Sequence, residues 1–479
     1  LALTTPFTTC QRVTPSPPSS TPSSSTDESR ATARTAPEAP PKVSRQVAVA
    51  AGIGHFLEWF DFAVYGFLAA TLGRLFFPSD NPTTSLLASL AVFGVAFFFR
   101  PLGGLIIGAL GDRLGRRAAL SLAIIMMGIC TIGIGVLPTY ATIGIAAPIL
   151  LVLLRCAQGF SAGGEYAGAA AFLVEYAPER KRGLFSSVVS AGASLGVMFG
   201  GIVTLVLTSL LSAEQMSSWG WRVPFLVAGP LSVLGLYVRL RLEDTPVYRS
   251  LQRAHEVEHA PLTSAAKHSR SGILLVFACT SVTGLAFYYL ATYVNTFLTT
   301  QVGMASTSAL PLAVAGLTMY SLMCPIAGMI GDRIGRRPTM LIGAGGVAVV
   351  AVPTFALLAT GNWALALVGL ALLAWFEALC NVMLGVIMVE LFAARLRVTG
   401  SSIGFNMAQA LVGGPGPFVA ASIAAAFTLI VAPAFYLVLV GTLAFVTLWK
   451  WLPETHGISL FGDQTETAEV AAVSGGFSR

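Results

Sequence analysis

The sequence predicts an all-α membrane protein of twelve transmembrane helices in two six-helix halves, on three observations. Hydrophobic residues fill 55% of the 479 positions and charged ones 10%, with a mean hydropathy of +0.77. A soluble chain is about 25% charged, so a bilayer is the solvent that matches this surface. Apolar runs of spanning length, roughly 20 residues each, recur twelve times. A glycine- and arginine-rich turn in the first half also returns in the second, as expected of a duplicated unit. The net charge of +6 does not point to nucleic acid, because the basic residues sit in short clusters between apolar runs, where they report topology.

Residues 1–44 are rich in Ser, Thr and Pro, including Pro15-Ser16-Pro17-Pro18 and Ser23-Ser24-Ser25, and are expected to be disordered. They lack the basic region and apolar stretch of a signal peptide, and nothing apolar precedes Cys10 to favour lipidation there. The N-terminal half, 45–242, holds spans near 47–71, 86–110, 118–138, 143–175, 184–211 and 222–242.

The first span carries His55, Glu58, Asp61 and Tyr65, spaced three, three and four apart and therefore on one face. Glu58 lies roughly 16 Å into the helix, near the midplane. A carboxylate there costs about 3 kcal/mol or more and persists only with a partner, a proton or a water-filled cavity. It reads as a proton or ligand site, or as half of an ion pair with Arg100 or Arg155. In the second span Arg100 precedes Pro101, which frees a backbone carbonyl. Its place in the cytoplasmic half suits a gate. The third span rests on apolar length alone.

The fourth span is long enough to tilt and carries Arg155, Gln158, Ser161 and Glu165 at helical spacing. Arg155 is permanently charged; it anchors a carboxylate ligand, tunes a nearby acid, or fixes helix packing through a salt bridge. Gly192, Gly196, Gly200 and Gly201 give the fifth span a close-packing face. The sixth again rests on length.

A cytoplasmic linker, 243–270, leads to the C-terminal half, 271–452, with spans near 271–298, 308–330, 338–359, 364–392, 400–426 and 430–451. Tyr288, Tyr289, Tyr293 and Asn295 in the seventh, with Glu377 and Asn381 four apart in the tenth, offer a carboxylate, hydrogen bonds and aromatic walls to an organic ligand; the tyrosines equally suit an interfacial belt. Gly413-Gly414-Pro415-Gly416-Pro417 breaks the eleventh. Residues 453–479 are expected to be a disordered tail. With both termini cytoplasmic, 24 of the 28 Lys and Arg fall on that side, Arg74 and Arg222 lie outside, and Arg100 and Arg155 lie within helices, the distribution the positive-inside rule requires.

The repeated turn is Gly108-Ala-Leu-Gly111-Asp112-Arg113-Leu-Gly115-Arg116-Arg117, matched 220 residues later by Gly328-Met-Ile-Gly331-Asp332-Arg333-Ile-Gly335-Arg336-Arg337. A weaker echo pairs Glu175 through Arg182 and Gly183 with Glu390 through Arg397 and Gly400. The doubled motif resembles the loop signature of the major facilitator superfamily. Gly54 to Gly66, Arg100-Pro101-Leu102-Gly103-Gly104, Arg155 to Glu165, Gly220 to Phe225, Glu243-Asp244-Thr245-Pro246 and Gly413 to Pro417 resemble its metabolite:proton symporter family, so the resemblance covers about 45–452. His55 stands where a smaller residue is expected, and Phe60 where Tyr is common. The long C-terminal heptads of osmosensing relatives are absent.

That resemblance implies alternating access in a bacterial cytoplasmic membrane, symport of a small polar metabolite with protons, a lipid bilayer as surroundings, a monomer, and no cofactor. The residues read above as candidates for coupling or substrate roles are Glu58, Asp61, Arg100, Arg155, Gln158, Glu165, Glu377, Asn381, Tyr288 and Tyr293, and the Arg155 to Glu165 stretch also resembles the superfamily motif associated with proton coupling. The doubled motif reads as a cytoplasmic gate built from Gly111, Asp112, Arg113 and Arg116 with Gly331, Asp332, Arg333 and Arg336. An organic carboxylate leads as substrate, with a proline or betaine carrier as the alternative and a non-transporting nutrient sensor behind both.

Enzyme readings are weak. Six cysteines show no CxxC spacing. His255-Glu256-Val257-Glu258-His259 fits HExxH, but Pro261 soon ends any helix and the metzincin continuation is missing. Gly159-Phe160-Ser161-Ala162-Gly163 and Gly192-Ala193-Ser194-Leu195-Gly196 fit GxSxG inside apolar helices, not on the strand-to-helix elbow that chemistry needs.

Overall fold

The computed structural model describes residues 45–241, 244–254, 264–265 and 269–460, and all regular structure among them is helical. The expected N-terminal tail and the HExxH match lie outside the described residues.

In the first half the spans are α1 (Arg45–Phe67), α2 (Pro82–Leu114), α3 (Arg116–Val136), α4 (Ala146–Tyr176), α5 (Arg182–Leu210) and α6 (Arg222–Leu240). In the second they are α7 (Arg270–Thr300), α8 (Ser306–Ile334), α9 (Arg336–Ala359), α10 (Trp363–Glu390), α11 (Arg397–Ala426) and α12 (Ala434–Trp451). Eleven of these are long and apolar enough to cross a membrane; α1, with its two buried carboxylates, completes twelve among the described residues. Their outer faces remain apolar, with Ile129, Val233, Leu322 and Val349 each at least 65% exposed, as a lipid-facing surface requires.

Three helices are internally irregular. The α4 backbone is broken by a turn at Gly163 and Gly164, and α7 and α11 each contain one π turn, at Tyr289–Tyr293 and Gln409–Gly413. The second of these sits beside Pro415 and Pro417, whose rings and missing N–H groups disturb the ladder. The first span ends earlier than its apolar run, at Phe67, and a separate helix, Ala69–Phe76, follows. The linker contains a helix, Pro246–Ala254.

Helix α2 crosses α4 with backbones in contact: a Cβ at Gly159 would strike the Ala96 backbone, and one at Gly103 that of Phe160. Only glycine allows such an approach. The halves meet chiefly where α5 packs on α8 and α2 on α11.

Residues 453–460 depart from expectation. They are not a free tail, because Thr455 and Leu460 are buried, held by hydrogen bonds from the Thr455 hydroxyl to Glu390 and from Arg182 to the Ile458 carbonyl. A short polar stretch has no apolar period to reveal this. The remainder, 461–479, lies outside the described residues.

Candidate functional site

The face of α1 predicted from spacing is buried, with His55, Glu58, Asp61 and Tyr65 each at most 2% exposed. Its two carboxylates take different partners. Glu58 is bound by Arg100 of α2 through Nη2, and His55 Nδ1 lies 3.3 Å from its other oxygen. His55 Nε2 accepts a hydrogen bond from the Trp59 indole at 3.2 Å, so in neutral His55 the proton sits on Nδ1, facing Glu58. Arg100 therefore belongs to the centre of the molecule and not to a cytoplasmic gate.

Asp61 takes Arg155, which was expected equally for Glu58. Arg155 Nη1 donates to Asp61 Oδ2 at 2.8 Å and to Gln158 Oε1 at 2.8 Å, while the Gln158 amide donates to Asp61 Oδ1 at 3.0 Å and to Thr131 at 2.8 Å. The guanidinium carbon of Arg155 lies 3.6 Å from the Tyr65 ring centroid, a cation–π contact. The third carboxylate, Glu165, faces Arg239 of α6 at 3.5 Å.

A small cavity of about 20 Å³ lies between the halves, lined by His55, Trp59, Arg100 and Tyr166 from one side and Thr283, Tyr288, Asn381, Phe405 and Gln409 from the other. Its walls are aromatic: Trp59 is 5.5 Å from Tyr288 and 4.7 Å from Phe287, ring to ring. Buried polar atoms remain without hydrogen-bond partners there, namely Arg100 Nε and Nη1, the Tyr288 hydroxyl and Gln409 Oε1. Such donors and acceptors can hydrogen-bond a small polar group that enters between the halves.

Tyr293 is not part of this pocket. Its hydroxyl donates to the Ala420 carbonyl at 3.2 Å and its ring packs on Phe355. Glu377 stands behind Asn381, accepting from its amide at 3.0 Å. Asn381 Oδ1 accepts from Tyr166 at 3.1 Å and Ser190 at 3.0 Å across the two halves.

At one end of the bundle the doubled motif ties the two halves together reciprocally. Asp112 on α2 accepts from the backbone N–H groups of Val398 and Thr399 at 3.2 and 2.8 Å, capping α11 of the other half. Asp332 on α8 accepts from Gly183 and Leu184 at 2.8 and 2.9 Å, capping α5 in return. These aspartates satisfy orphan helix donors and oppose the helix dipole.

Arg116 joins Asp112 at 3.1 Å and Glu175 at 3.2 Å, and Glu175 also holds Arg397 at 2.8 Å. In the second copy Arg336 joins Asp332 at 3.0 Å and Glu390 at 3.4 Å, and Glu390 holds Arg182 at 2.9 Å. Gly115 and Gly335 turn the chain at φ of 105° and 106°, a region natural only to glycine. Gly111 packs on Val398 of the other half, and Gly331 on Met383. Arg113 and Arg333 are exposed and stand outside the network.

Sequence reasoning missed a third paired element. Asp244 accepts from the Arg116 backbone at 3.1 Å and Thr245 donates to Glu175 at 2.5 Å. Equivalently, Glu454 accepts from the Arg336 backbone at 2.9 Å and Thr455 donates to Glu390 at 2.6 Å. The signal was present: an acidic residue followed by threonine recurs 210 residues on, from Asp244-Thr245 to Glu454-Thr455. Burial raises the Asp244 carboxyl above its ordinary range, while the Thr245 and Arg117 N–H groups and the nearby Arg116 charge pull it back.

The sequence profile described as Major Facilitator Superfamily matches residues 51–417. The proline/betaine transporter of Salmonella typhimurium is 36% identical over 416 residues, covering 84% of this chain and 82% of that one. The inner membrane metabolite transport protein YhjE of Escherichia coli is 39% identical over 387 residues, covering 78% and 87%. The glycine betaine/proline/ectoine/pipecolic acid transporter OusA of Dickeya dadantii is 36% identical over 415 residues, covering 84% and 82%. Among solved structures, the proton:xylose symporter XylE bound to 6-bromo-6-deoxy-D-glucose superposes with a TM-score of 0.74 at 19% identity, covering 88% of this chain and 98% of that one, a likeness of fold.

Proposed function

The chain belongs to the major facilitator superfamily, and from that premise we propose that it is a proton symporter of the bacterial cytoplasmic membrane for a small solute of the proline or betaine kind. The observation that carries the reading is Arg100. One nitrogen holds Glu58, and Nε and Nη1 are left without partners at the wall of an aromatic pocket. A solute carboxylate competes with Glu58 for this cation. Once displaced, Glu58 sits buried without its counter-charge, which favours taking up a proton. Solute and proton then bind together, as symport requires.

The walls supplied by Trp59, Phe287 and Tyr288 suit the cationic end of a zwitterion. That feature, with the names borne by relatives 36% identical, moves the preferred substrate from an organic carboxylate to a compatible solute. Alternating access follows if the latch at Asp112 and Asp332 opens while the periplasmic side closes. Radiolabelled proline, glycine betaine, succinate and citrate, offered to proteoliposomes under an imposed proton gradient, test this reading. Proline or betaine should accumulate and acidify the lumen. Uptake that needs sodium and leaves pH unchanged overturns it.

A further inference from the structure

The carboxylates buried at membrane depth are not alike. Glu58, Asp61 and Glu165 each face an arginine. Glu377, fully buried halfway along α10, forms no ion pair among the described residues, and its Oε2 has no hydrogen-bond partner among them. Among the described residues, the titratable groups around it are Tyr166 of α4, Tyr320 and Cys324 of α8, and Cys380 of its own helix, none of them cationic. An ionised carboxylate in such a place has neither water nor counter-charge to stabilise it.

We propose that Glu377 holds a proton in this closed-cytoplasm state and is a second proton-binding site, released when the halves separate at Asn381. This rests on the symport reading and adds a stoichiometry of two protons per solute. The geometry supplies the link to conformation. Asn381 donates to Glu377 Oε1 at 3.0 Å and accepts from Tyr166 and Ser190 of the other half at 3.1 and 3.0 Å. Parting the halves breaks the Tyr166 and Ser190 bonds and frees Asn381 to turn. Water then reaches the carboxyl, the O–H bond of Glu377 breaks, the proton passes to water, and the carboxylate is left solvated. Recapture from the opposite side completes the cycle.

The test uses the full-length protein in liposomes with radiolabelled proline as probe. At fixed membrane potential, the static accumulation ratio should scale with the square of the proton ratio in the wild type and with its first power in Glu377→Gln. A first-power wild type, or a variant that keeps the square, overturns the second site. A wild type in which proline accumulation ignores the proton gradient fails the symport reading itself, a distinguishable result. Infrared spectroscopy decides independently of proline transport and of the variant's folding. A protonated-carboxyl stretch that shifts on deuteration is expected in the wild type at neutral pH, and its absence overturns the proposal.

Discussion

At the scale of single residues, α1 presents two acids whose removal should have different consequences. Glu58→Gln leaves Arg100 free for solute and removes the competing charge. Counterflow exchange of radiolabelled proline should persist while the accumulation ratio falls from the square to the first power of the proton ratio, carried by Glu377; accumulation at wild-type levels would move the proton site to Asp61. Asp61→Asn acts elsewhere, since it strips the anion from Arg155 inside a closed network with Gln158 and Thr131. Leaving a buried charge unpaired typically costs about 3–5 kcal/mol, so the melting temperature in detergent should drop clearly, and more than for Glu58→Gln. The helical spacing made the shared face of His55, Glu58 and Asp61 legible. It did not say which arginine meets which acid: Glu58 and Asp61 differ by only about 4.5 Å along the axis, and helix rotation and tilt, set by packing, decide the pairing.

Between elements, glycines govern how closely helices approach. Gly159→Ala drives a methyl into the Ala96 backbone across the α2–α4 crossing. Overpacking of this kind costs about 1–3 kcal/mol, and here it also shifts Arg100 and Arg155, which ride on the two helices. Lower thermal stability and weaker proline binding should appear together in thermal-shift and scintillation-proximity assays; unchanged values for both would mean the crossing has slack. The spans themselves were legible because length and hydropathy suffice in a bilayer. The π turns of α7 and α11 were not, since a one-residue ladder shift leaves composition untouched. The order of residues 453–460 escaped for a different reason: it depends on single polar contacts to Arg336 and Glu390 and not on any periodic pattern.

Across the whole molecule, the latch proposed at Asp112 and Asp332 is expected to set the balance between states closed and open on its side. Asp112→Asn or Asp332→Asn weakens charge-assisted bonds to a helix terminus of the opposite half. Each should slow turnover several-fold while leaving proline affinity within about twofold, and spin-label distances between the cytoplasmic ends of α5 and α8 should lengthen. Equal loss of binding and turnover at normal abundance would mark the loops as merely structural. The bonding is also mutual, because α2 caps α11 while α8 caps α5. Each half thus carries the missing terminus of the other, and recognition does not run through the peptide that joins them. A gene cut within the linker, yielding fragments 1–254 and 264–479, should therefore give two polypeptides that find one another in the membrane and copurify on a single tag. With both aspartates replaced, that complementation should fail.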